Sequence, residues 1–408
     1  MTRTCLVHIY GTSNILAALS AVTWHTKISN RKDRVRVITI INIPGLTAEV
    51  LNDITRNIQE IIAPFGWSSP LILTDQQMCD IMQPYETNNN YHRTIRRFIK
   101  AINLNHVDEI YYAHIIGSQV PQLAMNAFPN AQRITFGDAL GSIYDAELHL
   151  RLASGISVDS AKKIRLGVKT RIKLGIKKVI KLTLGLLFGF PRNFQATEAL
   201  LIIPMDQTGE CLKEMKLVVV PKKHVLGLIE QCEKSFGRLS HYEDQLLSHS
   251  HGQSALILLE NISDGNFISQ ENELTVYEEL IRKTVPKHST VFIKAHPLSI
   301  APINDKLALR LKNDYSPFLI SNEFSRVPIE LWTSLVKKCQ IISISYSCIS
   351  LSFLFDLDIV YPFGVKIIEK YFPQKFWDSY RNADQLYRGQ LEKLKNWDGN
   401  GVLWKGSN

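Results

Sequence analysis

The chain is poor in the residues that staple, kink or embed a protein. Six cysteines stand among its 408 residues, at 5, 79, 211, 232, 339 and 348. They are too scattered for a disulfide framework or a C-x-x-C metal knuckle and point to a reducing compartment. Gly 21 and Pro 16 together make about 9% of the chain, below the ~12% of average globular proteins, which excludes collagen-like and low-complexity classes. No run of 18 apolar residues exists, so no bilayer-spanning helix is expected. The modest apolar stretch Ile15 to Val22 lies among His8, Asn14 and His25, with no clean basic region or small-residue cleavage site around it, and reads as a cytoplasmic start. G-x-G-x-x-G and the P-loop are missing too, which sets aside NAD enzymes and the common ATPases. What is present, 45% hydrophobic and 21% charged residues, is the composition of folded domains. The length suits more than one core, since single cores stop growing near ~250 residues.

Acidic residues are also missing from one place in particular. The net charge of +9 comes from 47 Lys and Arg against 38 Asp and Glu. The stretch 161–190 holds Lys162, Lys163, Arg165, Lys169, Arg171, Lys173, Lys177, Lys178 and Lys181 and no carboxylate. Interleaved Ile, Leu and Val at spacings of two, three and four give a helix with one apolar stripe and one basic face, the pattern of a segment that lies on an anionic membrane surface. A solvated linker helix and a nucleic-acid patch are the competing readings. Nucleic acid ranks last, because no aromatic side chain interleaves with the cations to stack on bases. Gly167, Gly175 and Gly185 each weaken such a helix by ~1 kcal/mol in water, so it needs a surface or a partner to order.

The remainder alternates strand and helix. Thr4 to Tyr10, Arg34 to Ile43, Leu71 to Thr74, Asp108 to Ala113 and Arg133 to Phe136 read as strands of a first unit. Leu200 to Ile203, Leu217 to Val220, Ala255 to Leu259, Ser289 to Lys294, Phe318 to Ser321, Ile341 to Ile344 and Ile359 to Tyr361 read as strands of a second. The expected fold class is therefore α/β, with two Rossmann-like domains facing a cleft. The divisions are a first Rossmann-like domain over 1–160, the basic segment over 161–192, a second Rossmann-like domain over 193–365 and a helical tail over 366–408.

In such sheets chemistry collects at the carboxyl ends of strands. Three places stand out. Gly137-Asp138-Ala139-Leu140-Gly141 follows the strand RITF and puts a carboxylate in a glycine-flanked turn, as a proton acceptor for a sugar hydroxyl or as a helix cap. Lys294-Ala295-His296-Pro297 follows VFI, and Pro297 keeps His296 extended, so that the imidazole projects from the strand end. The run IISISYSCISLS, Ile341 to Ser352, brings hydroxyls to a strand-to-helix turn, where they and the helix amides satisfy phosphate oxygens. Alternatively, Ser343 and Ser345 line a strand face, and Ser350 and Ser352 lie within the next helix.

Taken in this order, over roughly 105–150 and 255–355, these motifs resemble the bacterial sialyltransferases, particularly the capsular polysialyltransferase-like group. That resemblance implies the two-domain GT-B arrangement and transfer of sialic acid from CMP-sialic acid with inversion at the anomeric carbon. It implies Asp138 as general base, although GDALG stands where many members carry two adjacent acidic residues before glycine; Asp145 is the reserve. It places His296, with Pro297, at the departing CMP phosphate. Glu330 in VPIEL is the glutamate for the cytidine ribose, with Glu323 in NEF as competitor, and Ser347 with Ser345 is the paired hydroxyl motif. No metal and no cofactor beyond the donor substrate are implied. The partners are a nucleotide-sugar donor, a glycan or lipid-linked saccharide acceptor and an anionic membrane surface, which places the enzyme in the cytoplasm, peripheral on the inner face of the cell membrane. The rival readings are a donor carrying another CMP-activated ulosonic acid such as Kdo, a UDP-sugar enzyme, and a non-catalytic membrane-surface scaffold on a degenerate transferase fold.

Overall fold

The computed structural model describes residues 2–29, 34–43, 45–113, 119–137, 194, 196–203, 215–250, 252–260, 262–297, 299, 303–345, 347–361 and 364–395. The basic segment expected over 161–192 lies outside them, as do Asp138 and Asp145.

The first domain is a parallel sheet of β1 (Thr2–Ile9), β2 (Arg34–Ile41), β3 (Leu71–Ile72), β4 (Glu109–Ala113), β5 (Gln132–Phe136), β6 (Glu198–Leu201) and β7 (Lys216–Val219), in the spatial order β3-β2-β1-β4-β5-β6-β7. Its strands read as nearly unbroken apolar runs because both faces are covered. Alternate residues go to opposite faces. Cys5, Val7 and Ile9 pack in one cluster with helices α1 (Ser13–Ile28) and α2 (Ala48–Ile62). Leu6, Ile38 and Ile110 join another with α3 (Asp75–Asn88), α4 (Tyr91–Ile102) and α5 (Gln119–Ala127).

Strands β6 and β7 correct the expected division. They pair in parallel with β5 and with each other, Ile134 opposite Glu198 and Ala199 opposite Leu217. The first sheet therefore runs to Val219 instead of closing before 160. An apolar run declares a strand but not its neighbours, and hydrophobic pattern alone leaves the sheet to which a strand belongs open.

Helix α6 (Lys222–Ser235) then packs Val225, Ile229 and Cys232 into the same cluster as α1 and α2, and α7 (Gly237–Ser248) follows it. The second domain has β8 (Ser254–Leu258), β9 (Thr290–Lys294), β10 (Ser316–Leu319) and β11 (Gln340–Ser343), in the parallel order β10-β9-β8-β11. Ala255 and Ile257 face a core with α8 (Gln270–Thr284) and α9 (Ile303–Leu311), while Leu256 and Leu258 belong to the large cluster that continues into the first domain. Short helices α10 (Asn322–Ser325) and α11 (Thr333–Lys338) lead to β11, and α12 (Ser347–Phe355) follows it. Val360 makes only an isolated bridge to Ile342 where a full strand was expected. The expected helical tail contains α13 (Val365–Tyr371) and α14 (Trp377–Lys395); Ala383 and Tyr387 of α14 are buried in the large cluster, so this helix is part of the folded body.

Both sheets reverse strand order next to their first strand, between β1 and β4 and between β8 and β11. Ligands of open α/β sheets sit outside the strand ends at such a reversal. The two domains form the GT-B arrangement, and the space between them lies at those strand ends.

Candidate active site

One cavity of about 270 Å³ is lined from both domains. The first domain supplies the turn from β1 into α1, Tyr10 to Asn14. The second supplies the ends of β8 and β9, the turn before α11, and the passage from β11 into α12. His296, Pro297, Glu330, Ser345 and Ser347 all line it, so the structure gathers five of the expected residues from three separate stretches of sequence.

The serine run builds the start of α12. Ser343 and Ser345 place their hydroxyl oxygens 3.1 Å apart. The Ser345 hydroxyl accepts from the Ser347 amide at 3.3 Å, and the Ser345 carbonyl accepts from the Cys348 amide at 3.1 Å. Hydroxyls and a helix N-terminus thus share one wall of the cavity, the elements of an anion site.

Glu330 is 7% exposed. The Ser350 hydroxyl donates to its Oε1 at 2.6 Å. Lys294, buried at the end of β9, donates from Nζ to the Ser325 carbonyl. Burial raises the Glu330 carboxyl above its ordinary value, while the Ser350 bond and the Lys294 charge pull it back down. Burial drives Lys294 down to about 7, against the opposing pull of Glu330. Burial and the Lys294 charge push His296 down to about 4, so at neutral pH its imidazole is uncharged. His296 therefore offers an N–H without a positive charge.

Glu323 does not join them. Its carboxylate binds Arg238 of α7 and Arg56 of α2, the latter at 2.9 Å, and its carbonyl accepts from the Asn57 side chain at 3.1 Å. Arg238 also holds Glu60 at 2.8 Å. This carboxylate is committed to an ionic seam between α2 and the second domain, and Glu330 alone of the two lines the cavity.

Three contributors lie beyond the residues to which the resemblance assigns a role. Lys294 was passed over inside its own motif, because only the fold reveals that its ammonium is buried near Glu330. Ser350 lies three residues after Ser347 on α12, a spacing that puts both on one helical face. The β1–α1 turn carried a signal, a glycine closing a strand and Thr-Ser-Asn opening a helix, but turns of that kind also close ordinary strands. The D-x-D formed by Asp356 and Asp358 lies after α12 and outside the cavity lining; the carboxylates meet Lys222 at 2.8 Å and Lys395 at 3.1 Å. Among the described residues no group of three or more His, Cys, Asp or Glu could hold a metal ion.

Gly137, the last described residue before Asp138, is buried just past β5, whose carboxyl end opens on the same edge of the sheet as β1. A second cavity of about 460 Å³ lies at the end of β10; Gly45, Thr47 and Arg326 line it, and it shares Ala295 with the first. No described helix is long and apolar enough to cross a membrane.

Residues 72–348 match the family model for alpha-2,8-polysialyltransferase (POLYST). No curated protein matches the chain. Among solved structures, the GT-B domain of a Photobacterium damselae sialyltransferase aligns at 12% identity, over 85% of this chain and 88% of that one, with a TM-score of 0.40. A Methanocaldococcus jannaschii UDP-GlcNAc 2-epimerase, in complex with UDP-GlcNAc and UDP, aligns at 10% identity over 98% and 94%, with a TM-score of 0.46. An E. coli heptosyltransferase with ADP aligns at 9% identity over 96% and 100%, with a TM-score of 0.34.

Proposed function

Because the chain belongs to the alpha-2,8-polysialyltransferase family, we propose that it is an inverting, metal-independent enzyme that moves sialic acid from CMP-sialic acid to a hydroxyl of a glycan or lipid-linked saccharide. The observation that carries this reading is the convergence on one interdomain cavity of a serine-built helix N-terminus, an uncharged histidine and the buried Lys294, Glu330 and Ser350.

In this reading the α12 amides, Ser345 and Ser347 receive the CMP phosphate, and His296 donates its N–H to a phosphate oxygen. Glu330, held in place by Ser350, accepts from the ribose hydroxyls. Asp138 takes the acceptor's proton as the acceptor oxygen bonds to the anomeric carbon. The bond from that carbon to the phosphate oxygen breaks on the opposite face, and its electron pair leaves with CMP. Charge growing on the phosphate meets helix amides, the His296 N–H and the nearby Lys294 ammonium, which together do the work that a divalent cation does in other transferases.

The test is a panel of CMP- and UDP-activated sugars assayed for hydrolysis and transfer. Turnover of CMP-sialic acid well above the others is the expected result. Preference for CMP-Kdo changes the donor, preference for a UDP-sugar moves the chain to another class, and no turnover with any of them refutes the enzyme reading.

The basic segment places this chemistry at an anionic membrane surface, near lipid-linked acceptors, since each Lys or Arg adds up to ~1 kcal/mol of attraction there. Changing Lys173, Lys177, Lys178 and Lys181 together to Gln is expected to weaken salt-sensitive binding to anionic vesicles and to spare transfer to a short soluble acceptor. Equal binding to neutral and anionic vesicles, unaltered by the changes, contradicts it.

A further inference from the structure

Three helices of the first domain begin behind a threonine, and two of these residues cap in the usual way. Thr47 before α2 accepts from the Val50 amide, and Thr74 before α3 accepts from the Gln77 amide; both have extended backbones. Thr12 before α1 does not. Its backbone is already helical, at φ −61° and ψ −30°, and its side chain makes no cap hydrogen bond. Thr12 is 1% exposed, it lines the cavity, and among the described residues nothing pairs with its hydroxyl.

A buried hydroxyl without a partner costs stability. A cap within reach would relieve it, as at Thr47 and Thr74. The α1 turn is pinned in the other arrangement. The Asn14 side chain accepts from the Tyr10 amide at 2.9 Å, the Asn14 amide bonds the Gly11 carbonyl at 3.0 Å, and the Ile15 amide bonds the Thr12 carbonyl at 3.2 Å. The amides of Thr12 and Ser13 are those that helix geometry leaves over at the start of this 16-residue helix. Beside them, a Cβ built on Gly11 meets nothing nearer than the Ser13 hydroxyl at 3.8 Å, so the cavity has room there.

Two helix N-termini therefore converge on the cavity, α12 from the second domain and α1 from the first, and each attracts an anion. The proposed donor is an ulosonic acid carrying two anions on a single carbon, the phosphate and the sugar carboxylate. We infer that the β1–α1 turn, with the Thr12 hydroxyl and the first amides of α1, is the subsite for the donor's carboxylate, opposite the phosphate subsite on α12. This rests on the proposed function and deepens it, since it makes the first domain the part that selects acidic sugars. Neutral sugars offer nothing to this helix end.

The test uses calorimetry on the full chain with three ligands: CMP, the inert 3-fluoro analogue of CMP-sialic acid, and the carboxamide of that analogue. The wild type is expected to bind the acid about tenfold more tightly than the amide, the size of one lost charge-assisted hydrogen bond. Thr12→Val is expected to erase most of that preference, to leave CMP affinity within about twofold, and to raise Tm, because it removes a buried hydroxyl that pairs with nothing among the described residues. A merely structural threonine lowers Tm instead. Gly11→Ala serves as the second variant, placing a methyl in the subsite, and is expected to weaken the acid analogue with little effect on CMP. An unchanged acid-to-amide ratio in both folded variants, with CMP still binding, overturns the carboxylate subsite alone. Failure of CMP to bind the wild type overturns the proposed function beneath it.

Discussion

The two walls of the cavity are built from different materials. The second domain contributes side chains that ionise or nearly do, Lys294, His296 and Glu330, with serines to orient them. The described wall of the first domain contributes a glycine, short polar side chains and a helix end, Gly11 to Asn14, with no ionisable group beyond the phenol of Tyr10. The difference teaches a division of labour. Under the proposed function, nucleotide recognition draws its charge and its bonds to hydroxyls and phosphate from side chains locked by burial, while small groups with backbone amides hold the sugar without crowding the reacting carbon.

The sharpest break in that comparison is on the first-domain side. Asp138→Asn keeps the size of the side chain and removes the proposed proton acceptor, so turnover is expected to fall by at least ~10²-fold with CMP affinity nearly unchanged. Steady-state transfer assays beside calorimetry check it. Near-wild-type turnover in the folded variant transfers the role to Asp145, and an affinity loss as large as the rate loss makes Asp138 a binding residue.

On the other wall, Glu330→Gln retains a hydrogen-bond acceptor for Ser350 but removes the carboxylate that interacts with Lys294 and that the proposed ribose contact uses. CMP affinity is expected to drop by about 10- to 100-fold, the cost of ~1 to 3 kcal/mol for a bond to a charged group. His296→Ala is expected both to slow transfer and to loosen CMP, in contrast to Asp138→Asn, because its proposed contact is to the phosphate.

Acid tests both domains at once. His8 of β1, 1% exposed and with its Nε2 unpaired among the described residues, is pushed down by burial to about 4, as is His296. Each is neutral in the folded chain and protonates near 6.5 in the unfolded one. The contribution of these two histidines is therefore present above pH 6.5 and declines as pH falls from 6.5 toward 4, by about 2 kcal/mol per histidine between pH 7 and pH 5, while Glu243, raised by burial to about 7, works in the opposite direction. The fall in urea midpoint between the two pH values is expected to be larger in the wild type than in His8→Asn.

The smallest effect is expected at Glu323. Glu323→Gln loosens the seam with Arg56 and Arg238 and is expected to change CMP affinity by less than about twofold while lowering Tm slightly, as partly exposed ion pairs do. A CMP loss matching that of Glu330→Gln would erase the distinction between the two carboxylates.

These contrasts also indicate how far sequence reasoning reaches. The strand ends bearing His296 and the serine run were legible, because a β-branched run followed by polar residues marks where a parallel sheet delivers its loops. The resemblance ranked Glu330 above Glu323, but both lie in short helical turns, and only packing sends one toward the cavity and the other toward Arg238. Thr12, Thr47 and Thr74 look alike in sequence, and the absence of a cap at Thr12 is a tertiary fact. The misplacement of β6 and β7 has the same origin, because hydrophobic pattern specifies that a strand is buried but not which strand lies beside it.

The most direct measurement of the central claim is a calorimetric titration of CMP, and separately of UMP and UDP, into the wild-type chain and into Glu330→Gln. The account predicts that CMP binds the wild type most tightly and that the substitution removes most of that affinity. Tighter binding of UMP or UDP than of CMP, or CMP binding that Glu330→Gln leaves intact, would contradict it.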